Sequence, residues 1–177
     1  MKKVIWRPYL DYEKEEKWLN EMSAKGLAMT NYTWCRYTFE ECDPGAYIYR
    51  LEFLNHLPNN PESERYIRFM EENGVEYVAS YFRWVYFRKK AANGIFDIYS
   101  DIDSRIRHYK RILALWIPLC CADFAIGVIN LIIGLSSSPL NLSAALLLIV
   151  LVGIIAYQCL KIGRKLRELQ KEKELRE

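Results

Sequence analysis

The sequence predicts an α+β cytosolic domain followed by a hairpin of two transmembrane helices. Three observations predict it. Two apolar runs, at 112–135 and 141–160, contain a single charged side chain, Asp123. Basic residues flank the pair on both sides, and a charged, aromatic-rich segment precedes it. About 20 apolar helical residues cross a hydrocarbon layer of about 30 Å, so each run is long enough to span a membrane.

The flanks of the apolar pair predict its orientation. Four basic residues precede the first run, several follow the second, and the Ser136-Ser137-Ser138-Pro139 turn between the runs has no charge. Because basic residues stay on the cytosolic side, we expect a multi-pass protein of the cell membrane with both termini cytoplasmic. The N-terminus has no apolar signal-peptide region, which agrees with this orientation. The alternative is a soluble pair of helices.

The first 93 residues alternate strand and helix patterns. A strand is expected at 2–7, and a helix is expected from its N-cap Asp11 to Gly26. Two β-rich runs, 28–40 and 46–54, flank a hairpin signal at Asp43-Pro44-Gly45. A second helix begins at Asn60-Pro61 and ends at Gly74, with strands following at 75–80 and 84–88.

The order β-α-β-β-α-β-β matches, in its first six elements, the ferredoxin-like βαββαβ arrangement, with a further edge strand. The predicted organisation is a ferredoxin-like domain at 1–93, a juxtamembrane amphipathic helix at 94–111, the transmembrane pair at 112–160 and a charged helical tail at 161–177. The juxtamembrane segment is either a stalk continuing into the first span or a helix lying on the headgroups.

One face of the predicted sheet is a candidate ligand or partner surface. If the hairpin pairs Tyr37 with Leu51, one face combines aromatic rings and charges. Its residues are Tyr32, Trp34, Arg36, Arg50 and Glu52. This face could bind a flat ligand, another protein or the helix that follows. It could also be covered by the last hairpin or by a second copy of the chain. A shift of one residue would exchange the two faces.

Asp123 is the second candidate, because a carboxylate near the middle of a transmembrane helix costs about 2.5–3.5 kcal/mol. Asn130, seven positions further along the same run, is a possible polar partner for Asp123. The interpretations are an assembly contact with a second copy or another membrane protein, a proton or ion relay, and a neutral Asp packed against the neighbouring helix.

Motifs for chemistry are missing from the sequence. We find no phosphate-binding glycine loop, nucleophile elbow or metal box, and we predict no catalytic residue, metal or cofactor. Five cysteines without a paired spacing favour reduced packing residues. A net charge of +3 argues against nucleic-acid binding.

Five segments carry a resemblance to a known family: Asp11–Met22, Tyr49–Phe53, Tyr77–Tyr81, Trp84–Arg88 and Tyr99–Arg111. Together they resemble a family of small Gram-positive bacterial membrane proteins known as domain-of-unknown-function family 2812. The resemblance covers the first 110 residues and the paired spans. It implies this architecture and a setting beside PadR-type regulators, in an envelope or stress response, and it implies no activity.

Three functions are compatible with these patterns. The chain is interpreted as a membrane-anchored sensor or adaptor of unknown ligand. The alternatives are an accessory subunit of a membrane transporter, contacting it through Asp123, and an enzyme on a membrane-proximal substrate. The expected partners are the lipid bilayer and either another membrane protein or a second copy.

Overall fold

A computed structural model describes residues 2–99, 101–136 and 138–176. Met1, Ser100, Ser137 of the predicted turn and Glu177 lie outside this description. The chain divides into two compact units, Met1–Ser100 and Asp101–Glu177. We call them unit 1 and unit 2 and describe each by itself.

The described residues of unit 1 form six strands and two α-helices. Their bounds are β1 (Lys3–Trp6), α1 (Tyr12–Ala24), β2 (Leu27–Thr33), β3 (Arg36–Glu41), β4 (Tyr47–Phe53), α2 (Pro61–Glu72), β5 (Glu76–Tyr81) and β6 (Trp84–Lys90), followed by a short 3-10 turn at Ala91–Asn93. Both predicted helix starts are confirmed. Asp11 accepts a hydrogen bond from the backbone N–H of Glu13 (3.2 Å), and Asn60 accepts one from Glu62 (3.0 Å).

The strands form two antiparallel three-stranded sheets, in the orders β1-β3-β2 and β4-β6-β5. The predicted α+β class is therefore confirmed, whereas the strands do not form the single sheet of a ferredoxin-like domain. The predicted hairpin pairing is wrong. Tyr37 lies opposite Ile5 and Tyr32, and Leu51 lies opposite Tyr86.

The difference arises at the run 28–40, which was expected to be one strand. Trp34 and Cys35 adopt φ values of 31° and 60° and turn the chain, so the run becomes the hairpin β2–β3. A left-handed conformation is uncommon in residues other than glycine, and no Asn-Gly or Asp-Gly pair marks this turn. The Asp43-Pro44-Gly45 turn instead joins β3 to β4, which belong to different sheets.

Unit 1 contains the same βαββ motif twice. In each half the third strand lies between the first and the second, and both neighbours run antiparallel to it. Each helix is followed, just after its C-cap residue, by a glycine with positive φ, 78° at Gly26 and 77° at Gly74. The two glycines are 48 residues apart (74 less 26).

Equivalent positions in the hairpins of the two halves are separated by the same number of residues. The second strands each contain a register shift, one between Met29 and Asn31 and the other between Tyr77 and Ala79. Trp34 and Phe82, in the turns that follow, both have positive φ. A shared order, bulge position and turn conformation indicate an internal structural repeat.

The core lies in two clusters, one for each helix. Trp18, Leu19 and Met22 of α1 pack on residues of both sheets, whereas Met70 of α2 packs with Val85 and other residues on the opposite face of the second sheet. The three residues of α1 follow helical spacing and form its buried face. In α2, Phe69 lies beside the buried Met70 but is more than half exposed.

Unit 2 consists of α3 (Ile102–Ser136) and α4 (Pro139–Glu174). Both helices are long and apolar enough to cross a membrane. Lys173 Nζ lies 2.9 Å from Asp103 Oδ1, which places the end of α4 beside the start of α3 and makes the pair antiparallel. α3 runs from Ile102 into the apolar segment without a break.

Candidate functional site

The five residues predicted to share an open sheet face are dispersed in unit 1. Trp34 and Arg36 are exposed at the β2–β3 turn, and Tyr32 packs against the core cluster of α1. Arg50 Nη1 lies 3.5 Å from Glu16 Oε1, and Glu52 is buried and accepts a hydrogen bond from the Tyr66 hydroxyl (2.6 Å). The predicted face is therefore not one continuous surface.

Asp123 faces the neighbouring helix. It lines a cavity of about 140 Å³ between α3 and α4, whose other lining residues are apolar or glycine. Gly127, one turn further along, is buried, and a Cβ at this position would lie 3.5 Å from Leu148 Cβ of α4. Asn130 does not line this cavity, and its Nδ2 donates to the carbonyl of Ile126 in its own helix (2.9 Å).

A different carboxylate stands out in unit 1. Glu15, in the first turns of α1, is only 7% exposed. The hydroxyls of Tyr37 and Tyr86 both donate to its Oε1, each at 2.6 Å. Tyr37 lies on β3 of the first sheet and Tyr86 on β6 of the second, so one oxygen joins the two halves of unit 1.

Burial dominates the electrostatics of this carboxylate. It raises the pKa of Glu15, and the two phenol hydrogen bonds only partly oppose that effect. Burial and the nearby carboxylate also raise the pKa of Tyr37 and of Tyr86, so both phenols stay protonated as donors. Among the described residues, no lysine, arginine or histidine forms an ion pair with Glu15.

Aromatic rings pack on the two tyrosines that bond Glu15 and on its own helix. The Tyr32 ring packs on Tyr37 and on Tyr86, with centroids 4.7 Å apart in both pairs. Tyr12, one turn before Glu15 on α1, packs on Trp84 at 5.1 Å. Tyr12, Tyr32 and Trp84 are partly exposed and pack against the same core cluster. We call Glu15 with Tyr12, Tyr32, Tyr37, Trp84 and Tyr86 the Glu15 cluster.

The polar side of α1 has a structural role. Asn20 exchanges hydrogen bonds with the backbone of Tyr49, accepting from its N–H (2.8 Å) and donating to its C=O (3.1 Å). Ser23 does the same with Tyr47, and Glu16 accepts from the N–H of Leu51 (3.0 Å). Side chains of α1 thus satisfy the free edge of β4.

Sequence reasoning did not identify the Glu15 cluster. Glu13, Glu15 and Glu16 all lie near the start of α1, where acidic residues ordinarily complement the positive end of the helix dipole. The available signal was its spacing, because Glu15 lies three, four and seven positions before Trp18, Leu19 and Met22, on the buried face. No group of three or more metal-binding side chains occurs within the described residues.

Taken together, unit 1 is an α+β domain with a buried carboxylate among tyrosines, attached to two helices able to span a membrane. The model of one family, described as Protein of unknown function (DUF2812), matches residues 11–121. The chain belongs to that family. Comparisons with curated proteins and with solved structures found no match.

Proposed function

We propose that the chain is a membrane-anchored sensor, with unit 1 as its cytosolic ligand-binding part and α3 and α4 as its anchor. The basic residues before and after the apolar runs support an orientation with both termini in the cytoplasm. A role in an envelope or stress response, beside a regulator of the PadR type, belongs to the same proposal.

The observation that carries this proposal is the position of Glu15. A buried carboxylate is costly unless it is paired, and perturbed buried carboxylates concentrate at functional sites. Its hydrogen bonds link strands of the two βαββ halves. A ligand that interacts with Glu15 therefore competes with contacts between these halves and can change how they pack.

The test is thermal unfolding of the full chain in an uncharged maltoside detergent, with a panel of small organic anions, neutral compounds and cations. We expect at least one compound to raise the midpoint as its concentration rises, because a ligand of the native state stabilises it by about 2.7 kcal/mol at a hundred times its dissociation constant. The effect should be lost in Glu15→Gln.

Glu52→Gln is the matched control, since Glu52 is also buried and also accepts a tyrosine hydroxyl. It should keep the ligand effect. A panel in which no compound of any class shifts the midpoint counts against a ligand-binding function. So does an equal shift in wild type and Glu15→Gln.

A second candidate is an accessory subunit of a membrane transporter, supported by the Asp123 cavity between α3 and α4. Crosslinking in intact membranes, followed by mass spectrometry, should recover a membrane partner that Asp123→Leu loses. Asn130→Leu is the control, because Asn130 already bonds within its own helix. Equal recovery from wild type and Asp123→Leu would refute the Asp123 contact.

A further inference from the structure

Three segments of the chain meet at one end of unit 1. The backbone N–H of Arg7 donates to the carbonyl of Cys35 (2.8 Å), which joins the end of β1 to the β2–β3 turn. The rings of Tyr32 and Tyr81 lie with their centroids 5.8 Å apart, which joins the end of β2 to the end of β5. We call these segments together the hairpin end: 6–7, 32–36 and 81–84.

Large apolar side chains of the hairpin end are open to solvent. Trp6 is 69% exposed and Trp34 is 67% exposed, and Phe82 is more than half exposed. None of these three rings belongs to either core cluster of the described residues. A single exposed ring is ordinary, whereas several on adjoining segments mark an interaction surface.

The backbone at both turns disfavours the residues that occupy it. Trp34, Cys35 and Phe82 have φ values of 31°, 60° and 55°. Glycine or asparagine adopts this left-handed conformation at little cost, and these are the residues that hairpin turns ordinarily contain. Aromatic side chains at positions that cost folding energy indicate a use outside the fold.

The charged side chains of the hairpin end all have the same sign. Its three segments contain three arginines and no aspartate or glutamate. Arg7 and Arg36 are exposed, and Arg83 is partly exposed, with its Nε donating to the carbonyl of Leu54 (2.8 Å). Tryptophan and tyrosine rings favour the headgroup level of a bilayer, and basic residues are attracted to anionic lipids. This combination is complementary to an anionic lipid surface.

We propose that the hairpin end docks on the headgroups of an anionic bilayer, with the rings of Trp6, Trp34 and Phe82 at the headgroup level and the arginines beside lipid phosphates. This rests on the anchoring part of the proposed function and adds a lipid contact made by unit 1 itself. A chain anchored by α3 and α4 holds unit 1 at high effective concentration near a bilayer. Trp34 and Arg36, which were predicted to lie on a ligand or partner face, have lipid as that partner.

The test places one fluorophore at a time on the full chain, in a variant whose five cysteines are replaced by alanine. An environment-sensitive nitrobenzofurazan dye is attached to Thr33→Cys in the hairpin end, or to Asp43→Cys beyond the opposite end of β3. Both positions are exposed. A third variant carries the dye at Ile154→Cys in α4, which is also exposed. Each is reconstituted as a single chain in phospholipid nanodiscs, and quenching by spin-labelled phosphatidylcholine is measured.

We expect lipid to quench the Thr33 label in discs with about 30% phosphatidylserine, because the arginines are attracted to anionic headgroups. Quenching should be at least about twofold weaker in about 1 M salt, where charges are screened beyond about 3 Å. It should be weaker to the same degree in discs of phosphatidylcholine alone. The Asp43 label should remain unquenched in every disc.

A double variant tests the exposed rings without disturbing the turns. Trp34→Asn with Phe82→Asn should abolish quenching of the Thr33 label, and asparagine tolerates the left-handed conformation of both positions. Phe69→Gln is the matched control, because it removes an exposed ring on α2, outside the hairpin end, and should leave quenching unchanged. Far-ultraviolet circular dichroism verifies that each variant is folded.

The Ile154 label separates failure of docking from failure of the anchor. Quenching of the Ile154 label without quenching of the Thr33 label overturns the lipid contact and leaves the anchor intact. Absence of both refutes the anchoring on which the proposal rests. Equal quenching of the Thr33 and Asp43 labels also overturns it, because no particular surface of unit 1 would then face lipid.

Two further results would assign the hairpin end to another partner and overturn the lipid contact. One is shielding of the Thr33 label in concentrated detergent solution without lipid quenching in discs, which indicates a second copy of the chain. The other is a spectral change of this label with a single-stranded oligonucleotide but not with lipid, which indicates nucleic acid. The unfolding panel tests ligand binding at Glu15 separately.

Discussion

Glu15 and Glu16 are adjacent in sequence but differ in how their charge is balanced. Both carboxyls lie in or near the core, and burial raises the pKa of each. For Glu16 the Leu51 N–H and the Arg50 guanidinium oppose that effect, whereas for Glu15 only two neutral phenols do. The helix geometry directs the Glu16 carboxyl to the edge of β4 and the Glu15 carboxyl to the interior.

The first prediction concerns stability against pH. Native Glu15 holds its proton above the ordinary pKa of 4.5, so the native state binds more protons than the unfolded chain in that range. Stability contributed by Glu15 is therefore present at low pH and lost as pH rises above 4.5 through the raised pKa. Glu15→Gln cannot lose a proton and keeps an oxygen that accepts both phenols.

The expected result is that Glu15→Gln gains stability relative to wild type as pH rises from about 4 to 7, by about 1.4 kcal/mol for each unit of raised pKa. Urea unfolding of the full chain at several pH values, followed by tryptophan fluorescence, measures this difference. A difference that is constant with pH, or that favours wild type more at pH 7, contradicts it.

The second prediction concerns the phenol that reaches across the two sheets. Tyr86→Phe removes one donor from Glu15 Oε1 and leaves a buried carboxylate with a single hydrogen bond. We expect a loss of about 1–3 kcal/mol in unfolding free energy. In a Glu15→Leu background the same change should cost clearly less, and additive losses in the double mutant would show that the bond contributes little.

At the scale of elements, the repeated helix ends allow a matched comparison. Gly26 and Gly74 have nearly the same φ, 78° and 77°. A Cβ at Gly26 would lie 2.9 Å from the carbonyl oxygen of Cys42, whereas at Gly74 it would meet nothing within 4 Å. Gly74→Ala should cost about 1–2 kcal/mol for the left-handed conformation alone, and Gly26→Ala should cost more. Urea midpoints compare the two, and equal losses would contradict the contact with Cys42.

A fourth prediction concerns the α1–β4 contact, which the repeat does not duplicate. Asn20 bonds both backbone groups of Tyr49, and the matching position in α2 is the exposed Arg68. Asn20→Ala should cost about 1–3 kcal/mol because it leaves two strand-edge groups without partners. Arg68→Ala should stay within about 0.5 kcal/mol. If the two variants unfold alike, α1 does not stabilise the edge of β4.

The elements themselves could be predicted from local signals. Asp11 and Asn60 are capping residues, Gly26 and Gly74 end helices, and the apolar face of α1 follows helical spacing. The sheet pairing could not be predicted from local signals, because it depends on a turn at Trp34 and Cys35. Neither residue is a usual turn former. A search for internal repeats would have found the spacing from Gly26 to Gly74 and from Met22 to Met70.

The candidate site was harder to predict than the fold. Alternation along β3 and β6 places Tyr37 and Tyr86 on buried faces, but only the packing of the two sheets brings both hydroxyls to one oxygen. Such a meeting of distant residues leaves no short motif in the chain. Asp123 was identified because a charge in an apolar run is conspicuous by itself, and its position toward α4 required the structure.

At the scale of the whole molecule, the proposed membrane orientation leads to a labelling prediction. The proposed orientation keeps unit 1 and the end of α4 in the cytoplasm, with the turn before Pro139 outside, because the flanks are basic and the turn is uncharged. In a variant whose five cysteines are replaced, Ser138→Cys should react in intact cells with a membrane-impermeant maleimide. Lys171→Cys should react only after the cells are permeabilised. Labelling of Lys171→Cys in intact cells, with Ser138→Cys protected, would reverse the orientation and place the Glu15 cluster on the outer side.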